Sequence, residues 1–547
     1  MTDTAFTPPG KGEWTSLRDH FPRALTPEYA LLLTDGMRQG EAIPMAEYGM
    51  PVKSLLVGLV HGHVYITVEP LLGKPTNSLP PRSVLWVASR LVPVFRRRTR
   101  AARSALVNRP WLADVEQWYA TERGVWIAAS RMLESEDVDA LGDPGLVDHL
   151  RRARAHASAG YRRHFALHGP DLIPTGLLLA RCDDWGVAPS VVLPVLAGAS
   201  PASLGQGPQL DALRAAAASA ATAPETMDEL RAVAAVELDA FLADFGWRTV
   251  TGYDLDSLTL GELPSLVVQL ARPARAPRVS EVDADSAVAR LRSLVPSADH
   301  AELEQLVRDA RLTFGVRDDN GALTGAWPIG LLRRAMVAAG RRLVDDGRLR
   351  DAHHALEVDV DELVLLLEGA RSPAADEVAV RAKKRADRSE LVPPPTLGPQ
   401  MAVPVDALPG PMRTVSRAQL ILRDAFVAPS GARAGLDGDG IGTEVYRGRA
   451  LVAAEPADAL MRLEPGDVLV AYGTTPAYNM ALSIAGAVVV EEGGLLSHAA
   501  VIARELGLPA VIGAAGCMSE IADGALVEVD PVRGSVRVLS SSAWIES

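Results

Sequence analysis

One run of this sequence has the residue types and spacing for group transfer: Glu491-Glu492-Gly493-Gly494-Leu495-Leu496-Ser497-His498-Ala499-Ala500-Val501-Ile502-Ala503-Arg504-Glu505-Leu506-Gly507-Leu508-Pro509. An apolar run ends at Val490, and Gly493 and Gly494 permit a turn with close backbone approach. Ser497 is a natural N-cap, Gly507 a C-cap and Pro509 a stop, so the spacing predicts a helix from His498 to about Leu506. His498 then stands on the first turn, beside backbone N–H groups that have no partner inside the helix. Those donors and the positive end of the helix dipole favour an anion there. Neutral imidazole, with an unperturbed pKa of about 6.5, is a good nucleophile near pH 7. The chemistry that fits is uptake and delivery of a phosphoryl group by His498, held without a metal of its own. A structural histidine after a glycine turn is the other reading of the same residues.

The elements that must position this run are short and β-rich. Beyond about residue 413, the runs 450–453, 467–471, 486–490, 527–529 and 535–538 read as strands, with helical segments near Met480 and Val501 between them. Upstream the pattern differs. From about residue 110 to 370 apolar residues recur at spacings of three and four, the mark of helix after helix, with one possible hairpin at 59–67. Residues 226–245 show a start signal in Thr226 and Glu229, spaced as a capping box, and a stop at Gly246. A second helical block, 285–369, follows the proline-bearing segment 272–277, and 331–343 is its strongest helix. Residues 381–388 are dense in Lys and Arg, and the prolines from Pro393 to Pro411 favour extended geometry, so 376–412 is expected to be a semi-rigid linker. The expected architecture is multidomain: a mainly α-helical N-terminal region (1–270 and 271–375), the linker, and a C-terminal β/β/α domain from 413 to 547.

The run from Gly493 to Gly513 resembles the signature of the mobile, swivelling phosphohistidine domain of phosphoenolpyruvate-utilising enzymes. Gly466-Asp467-Val468-Leu469-Val470, Thr474-Thr475-Pro476 and Asp523-Gly524-Ala525 agree with that family, extending the likeness over about 430–540. The resemblance implies that His498 is the phosphorylated residue, supported by Gly493, Gly494 and Ser497. Arg504 falls at a motif position, where it contacts phosphate or pairs with a carboxylate on the helix surface. Thr475 either positions the histidine or caps a helix starting at Pro476. One position departs: Leu496 stands where the family often has a hydroxyl residue that some dikinases phosphorylate for control, so that control is not expected here.

The helical region resembles, more loosely, the substrate-binding part of rifampin phosphotransferase-like proteins and of the phenylphosphate synthase large subunit. The likeness rests on His20-Phe21-Pro22-Arg23-Ala24-Leu25-Thr26-Pro27, Tyr48-Gly49-Met50-Pro51, Gly315-Val316-Arg317-Asp318 and Asp359-Val360-Asp361-Glu362-Leu363. Arg317 is the candidate to face the acceptor or the incoming phosphohistidine, since a guanidinium matches phosphate oxygens bidentately; a structural role is equally open. His353-His354 has no third ligand in evidence, and no metal site is expected.

Within the 547 residues there is no ATP-grasp module and no GxxxxGK[ST] loop, Gly10-Lys11-Gly12 lacking a preceding strand; nor does a phosphoenolpyruvate barrel follow the carrier. ATP and Mg2+ are therefore expected through an ATP-grasp nucleotide-binding partner, and no cofactor is expected on this chain. The expected function is phosphotransfer from that partner through His498 to a small-molecule hydroxyl acceptor; a non-catalytic binding or regulatory protein that keeps the carrier fold is the alternative. A net charge of -13 argues against a nucleic-acid partner. Two distant cysteines, Cys182 and Cys517, imply neither disulfides nor zinc. The N-terminus lacks a signal pattern, and the apolar segment 83–95 before Arg96-Arg97-Arg98 is too short to span a bilayer, so a cytoplasmic protein is expected.

Overall fold

The computed structural model describes residues 5–199, 208–272, 284–401, 404–426 and 436–539; the prolines of 273–277 lie outside the described residues. The molecule is multidomain, a large helical body followed by a C-terminal region built on a sheet.

The axis of the body is the 42-residue helix Asp143–Asp184. Its C-terminal half, residues 165–180, is buried almost all round and is mostly apolar, as a helix packed on every side must be. Around it lie the helices Pro27–Glu47, His300–Phe314, Trp327–Asp345 and Gly410–Phe426. The crossing with Pro27–Glu47 is close because glycines meet it: a Cβ on Gly40 would stand 2.5 Å from the Arg162 carbonyl oxygen. Pro170 and Pro174 lie inside the long helix. Each removes one backbone donor from the ladder, so the helix is locally loosened where Asp171 and Thr175 are buried. The following connection contains a π-helical stretch, Gly321–Ala326, whose neighbour Asn320 donates to the His164 carbonyl of the long helix (2.9 Å).

Several expectations of local structure are corrected. The helix Met227–Phe245 does start at Thr226, whose hydroxyl accepts from the Glu229 N–H. The Glu229 carboxylate, however, takes the N–H of Glu225 (2.8 Å), so the reciprocal half of the capping box is absent. The helix is broken at Ala234 (φ −144°), and Gly246 keeps a right-handed φ of −56°. The segment 83–95 divides into the helices Arg82–Leu91 and Pro93–Asn108, with Val84, Trp86, Val87 and Leu91 exposed on the first. Among the described residues no helix is long and apolar enough to cross a membrane.

The expected linker is packed structure. Ala375–Ser389 is a helix with two arginines paired to the body: Arg381 with Glu362 (2.8 Å), and Arg385 with Glu357 (2.7 Å) and Asp256 (2.8 Å). Within the proline run, Thr396–Leu397 forms an edge strand on Trp14–Ser16, completing a four-stranded sheet with the hairpin Val52–Val60 and His63–Pro70. Helix Gly410–Phe426 then buries Met412, Val415, Ala418 and Leu422 against the body. Prolines tolerate edge strands and turns, so extended geometry here serves pairing as well as spacing. The chain passes from this helix to the C-terminal sheet through 427–435, outside the described residues.

That sheet has seven strands, in the spatial order Ser535–Val538, Leu526–Asp530, Tyr446–Ala453, Val468–Ala471, Ala487–Val490, Ala510–Ile512, Asp439–Ile441. The four from Tyr446–Ala453 to Ala510–Ile512 are parallel, and both Val468–Ala471 and Ala487–Val490 are buried throughout. Continuous apolar runs are what a parallel strand covered on both faces requires.

The helix crossing gives a direct test. Gly40→Ala must push apart two packed helices, and overpacking of this kind costs about 1–3 kcal/mol. A lower thermal unfolding midpoint than wild type is expected by calorimetry, and an unchanged one would show that the helices part without cost.

Candidate functional site: a histidine between two units

The carrier helix is His498–Leu506, capped as its residue types demand. The Ser497 hydroxyl accepts from the Ala500 N–H (3.4 Å), and Gly507 closes the helix in the left-handed region (φ 62°). Gly493 sits at φ 128°, and a Cβ there would come within 2.9 Å of Ser497. Gly494 contributes its carbonyl, which accepts from the Ser497 N–H (2.9 Å). These residues shape the turn that delivers His498.

The imidazole is gripped at both nitrogens. Nδ1 lies 2.9 Å from the Thr474 hydroxyl and Nε2 2.6 Å from the Asn479 side-chain oxygen. With Nε2–H donating to Asn479, the Thr474 hydroxyl donates to Nδ1; with the Asn479 amide turned over, the roles reverse. Either way one nitrogen carries a proton and the other has its lone pair occupied by a donor. Phosphorylation therefore requires one partner to give way to phosphorus. Thr475, the residue expected to hold the ring or cap the next turn, takes the second place: it is the buried N-cap position of the turn Pro476–Tyr478. Its neighbour Thr474 holds the histidine. Asn479 was not anticipated, since it lies in a different turn and carries no motif.

Arg504 reaches back along the helix. Its guanidinium donates to the Leu495 carbonyl (2.7 Å), bracing the loop that leads into His498. Burial pulls its pKa down to about 10, against the opposing charge of Glu505. Leu496, the departing position, is buried in an apolar cluster with Leu178, Leu179, Phe314 and Leu422 of the body, with Leu495 and Val501 packed beside it. The Leu496 N–H also donates to the Ala425 carbonyl (2.9 Å).

His498 thus faces the helical body, and it faces cations. Its pKa is held well below the ordinary imidazole value, first by burial, then by the charge of Arg317, then by His20. Arg317 stands on the short helix Val316–Asn320 before the π-helical stretch. Its charge also depresses His164, His168 and His20. Arg317 thus lies near enough for its charge to act on His498. His353 and His354 lie in the turn Ala352–Glu357, and among the described residues no group of three or more His, Cys, Asp or Glu is placed to hold a metal ion.

Residues 463–534 match the PEP-utilising enzyme mobile domain. That stretch is similar to the mobile domain. The chain is similar to chondramide synthase of Chondromyces crocatus, 26% identical across 96% of this chain and 14% of the relative. It is 32% identical to a rifampicin phosphotransferase of Streptomyces, over 55% of this chain and 34% of that protein. Over a shorter span it is 45% identical to the phosphoenolpyruvate synthase of Aeropyrum pernix, covering 17% of this chain and 11% of the relative. The chain thus spans about a tenth to a third of the length of these relatives. His498 lies within the matched residues 463–534.

The electrostatics of the mobile domain against the body can be read directly. In a histidine NMR titration, His498 should stay neutral through the pH range about 7 to 6 where free imidazole protonates. Arg317→Gln removes a depressing charge, so the His498 midpoint should rise toward, without reaching, the free value, because burial remains. An unmoved midpoint would show that Arg317 does not face the ring.

Proposed function

We propose that this chain is a phosphotransferase component in which His498 carries a phosphoryl group from an ATP-grasp partner to a small hydroxyl compound held against the helical body. The observation that supports this reading is the position of His498: a neutral, desolvated imidazole at a capped helix start, facing Arg317. An unphosphorylated ring gains nothing from that cation. A phosphoryl dianion on the same ring does, since charge-assisted hydrogen bonds to an anion are roughly twice as strong as neutral ones.

In this reading the partner binds ATP and Mg2+ and loads His498 while the mobile domain is away from the body. The loaded domain then docks as seen here, and the acceptor oxygen attacks phosphorus. The P–N bond breaks and its electron pair returns to the imidazole. Arg317 neutralises charge on the transferring group, and Thr474 and Asn479 fix the ring so that phosphorus is aligned with the acceptor. One relative is named a rifampicin phosphotransferase, in keeping with transfer to a small molecule; the acceptor of this chain is left as a small hydroxyl compound.

Intact mass of the full chain after incubation with Mg-ATP and an ATP-grasp partner tests the first step. One acid-labile phosphate should appear in wild type and vanish in His498→Ala; no gain with a partner proven active on other carriers would overturn the reading. The second step separates from the first in Arg317→Gln. Loading should be unchanged while transfer falls about 100-fold, the cost of one stabilising donor in a desolvated site.

A further inference from the structure

Transfer to a hydroxyl leaves one proton to be placed, and the reaction proposed above assigns it to no residue. We infer that His20, held by Asp19, is the general base that accepts the acceptor's proton; the inference rests on the carrier reading of His498.

The geometry begins with the segment between the strand Trp14–Ser16 and the helix Pro27–Glu47, which lies against the mobile domain. The Arg18 guanidinium stacks over the Tyr472 ring at 4.5 Å, and Arg23 Nε stands 3.4 Å from Glu455. Between them, a Cβ on Gly473 would come 3.9 Å from the Asp19 Cβ. Gly473 adjoins Thr474, whose hydroxyl holds His498. Asp19 and His20 are therefore brought to the loop after the strand Val468–Ala471 that also carries Thr474, close enough for the charge of His20 to act on His498.

The two side chains form a dyad. Asp19 Oδ2 is 2.9 Å from His20 Nδ1, so the carboxylate accepts the Nδ1 proton and fixes the tautomer with its lone pair on Nε2. The ring is steadied by stacking on Tyr253, with ring planes 17° apart and centroids 5.9 Å apart. Both dyad side chains keep 46% exposure, open to a cavity of about 280 Å³. Its walls come from both units, with His20, Phe21 and Tyr253 on one side and Glu455, Tyr472 and Thr475 on the other. That volume is at the small end of ligand sites, in keeping with a small hydroxyl compound.

The charges agree with the role. Burial pulls the His20 pKa down, and the charge and hydrogen bond of Asp19 more than offset it, so the value is raised. Asp19 is correspondingly lowered. The other groups that act on His20 are Arg317 from the short helix and His168 from the long helix, both lowering its pKa. His164 and His498 in turn feel the charge of His20. A base with a pKa near the working pH is the efficient one.

The acceptor oxygen forms a bond to phosphorus as the P–N bond to His498 breaks, with that electron pair returning to the imidazole. The hydroxyl proton passes to His20 Nε2 and from there to solvent. The acceptor leaves as its phosphate ester, and no oxidant, reductant or further reactant enters.

The test uses the full chain loaded on His498 by the partner, with water and glycerol as probe acceptors, and follows loss of the acid-labile phosphate from pH 5.5 to 9. Wild type should lose it at a rate that falls as pH drops and His20 protonates. His20→Gln should load normally, lose phosphate at least about 100-fold more slowly to both probes, and show no such limb. Asp19→Asn should slow the loss less and move the limb to lower pH, because the charge that raises the His20 pKa is gone. Normal loading with wild-type rates and an unchanged pH profile in His20→Gln would overturn the base while leaving the carrier standing. Wild type that never loads would sink both, and loaded wild type that sheds phosphate to the probes no faster than phosphoimidazole in solution would sink the base alone.

Discussion

A half-buried imidazole within reach of a guanidinium's charge is the constraint on which the rest of this molecule depends. Protonated, His498 would be a partly desolvated cation repelled by Arg317, which is why its pKa is driven down. Phosphorylated, the same side chain brings an anion to that cation, and the repulsion becomes attraction. Docking of the mobile domain on the body is thus electrostatically indifferent or unfavourable to the empty carrier and favourable to the loaded one. The capped helix, the Gly493 turn and the paired grip of Thr474 and Asn479 all serve to present one ring nitrogen at one place.

The body, for its part, is built to hold the opposing cation still. Arg317 lies between the helix His300–Phe314 and a π-helical stretch that meets the long helix where Gly160 allows Thr324 to approach. On that long helix, Pro170 and Pro174 loosen the backbone ladder near His164, His168 and Asp171. A perfectly regular helix pair would satisfy its own polar groups and have none to spare. Irregular stretches of helix often occur where a site needs side chains the regular ladder cannot aim.

How much of this could be read from sequence divides along the range of the interactions. The strands Val468–Ala471 and Ala487–Val490 were legible because burial on both faces forces an unbroken apolar run. The His498 helix was legible because its caps, Ser497 and Gly507, are local. Thr474 was passed over for Thr475 because proline rules speak to the residue just before Pro476, whereas the contact with His498 is made 24 residues away. The strand Thr396–Leu397 has two residues in a proline run, where polyproline and β geometry are neighbours, so only its pairing with Trp14 and Thr15 distinguishes them. Likewise the basic run 381–388 reads as a solvated linker, and the carboxylate partners of Arg381 and Arg385, namely Glu362, Glu357 and Asp256, are visible only once the chain has folded. His20 stood in the sequence only as the first residue of a loose likeness, because Tyr472 and Gly473, which line the same cavity, lie more than 450 residues on.

A carrier of the kind proposed must also be able to leave, and the contacts that hold the C-terminal region here set what that takes. The polar links at the edge, Arg23 to Glu455 and the Gly198 N–H to Glu505, are partly exposed, and exposed pairs contribute about 0–1 kcal/mol each. The apolar contacts are larger. Leu496 is buried in one cluster with Leu178, Leu179, Phe314 and Leu422, with Leu495 and Val501 half-buried beside it. A second buried cluster takes in Leu213, Leu230, Leu238 and Phe241 of the helical region together with Leu460, Leu482, Ile502 and Ile512 of the C-terminal region. Burying one leucine side chain is worth about 1.5–3 kcal/mol, and against these contacts stands the entropy lost on fixing two units together. A hydrogen bond to a charged group contributes about 1.5–3 kcal/mol, comparable to one such side chain. On the carrier reading, a phosphoryl group meeting Arg317 therefore biases the docked arrangement rather than creating it, and undocking must part apolar surface as well as charge.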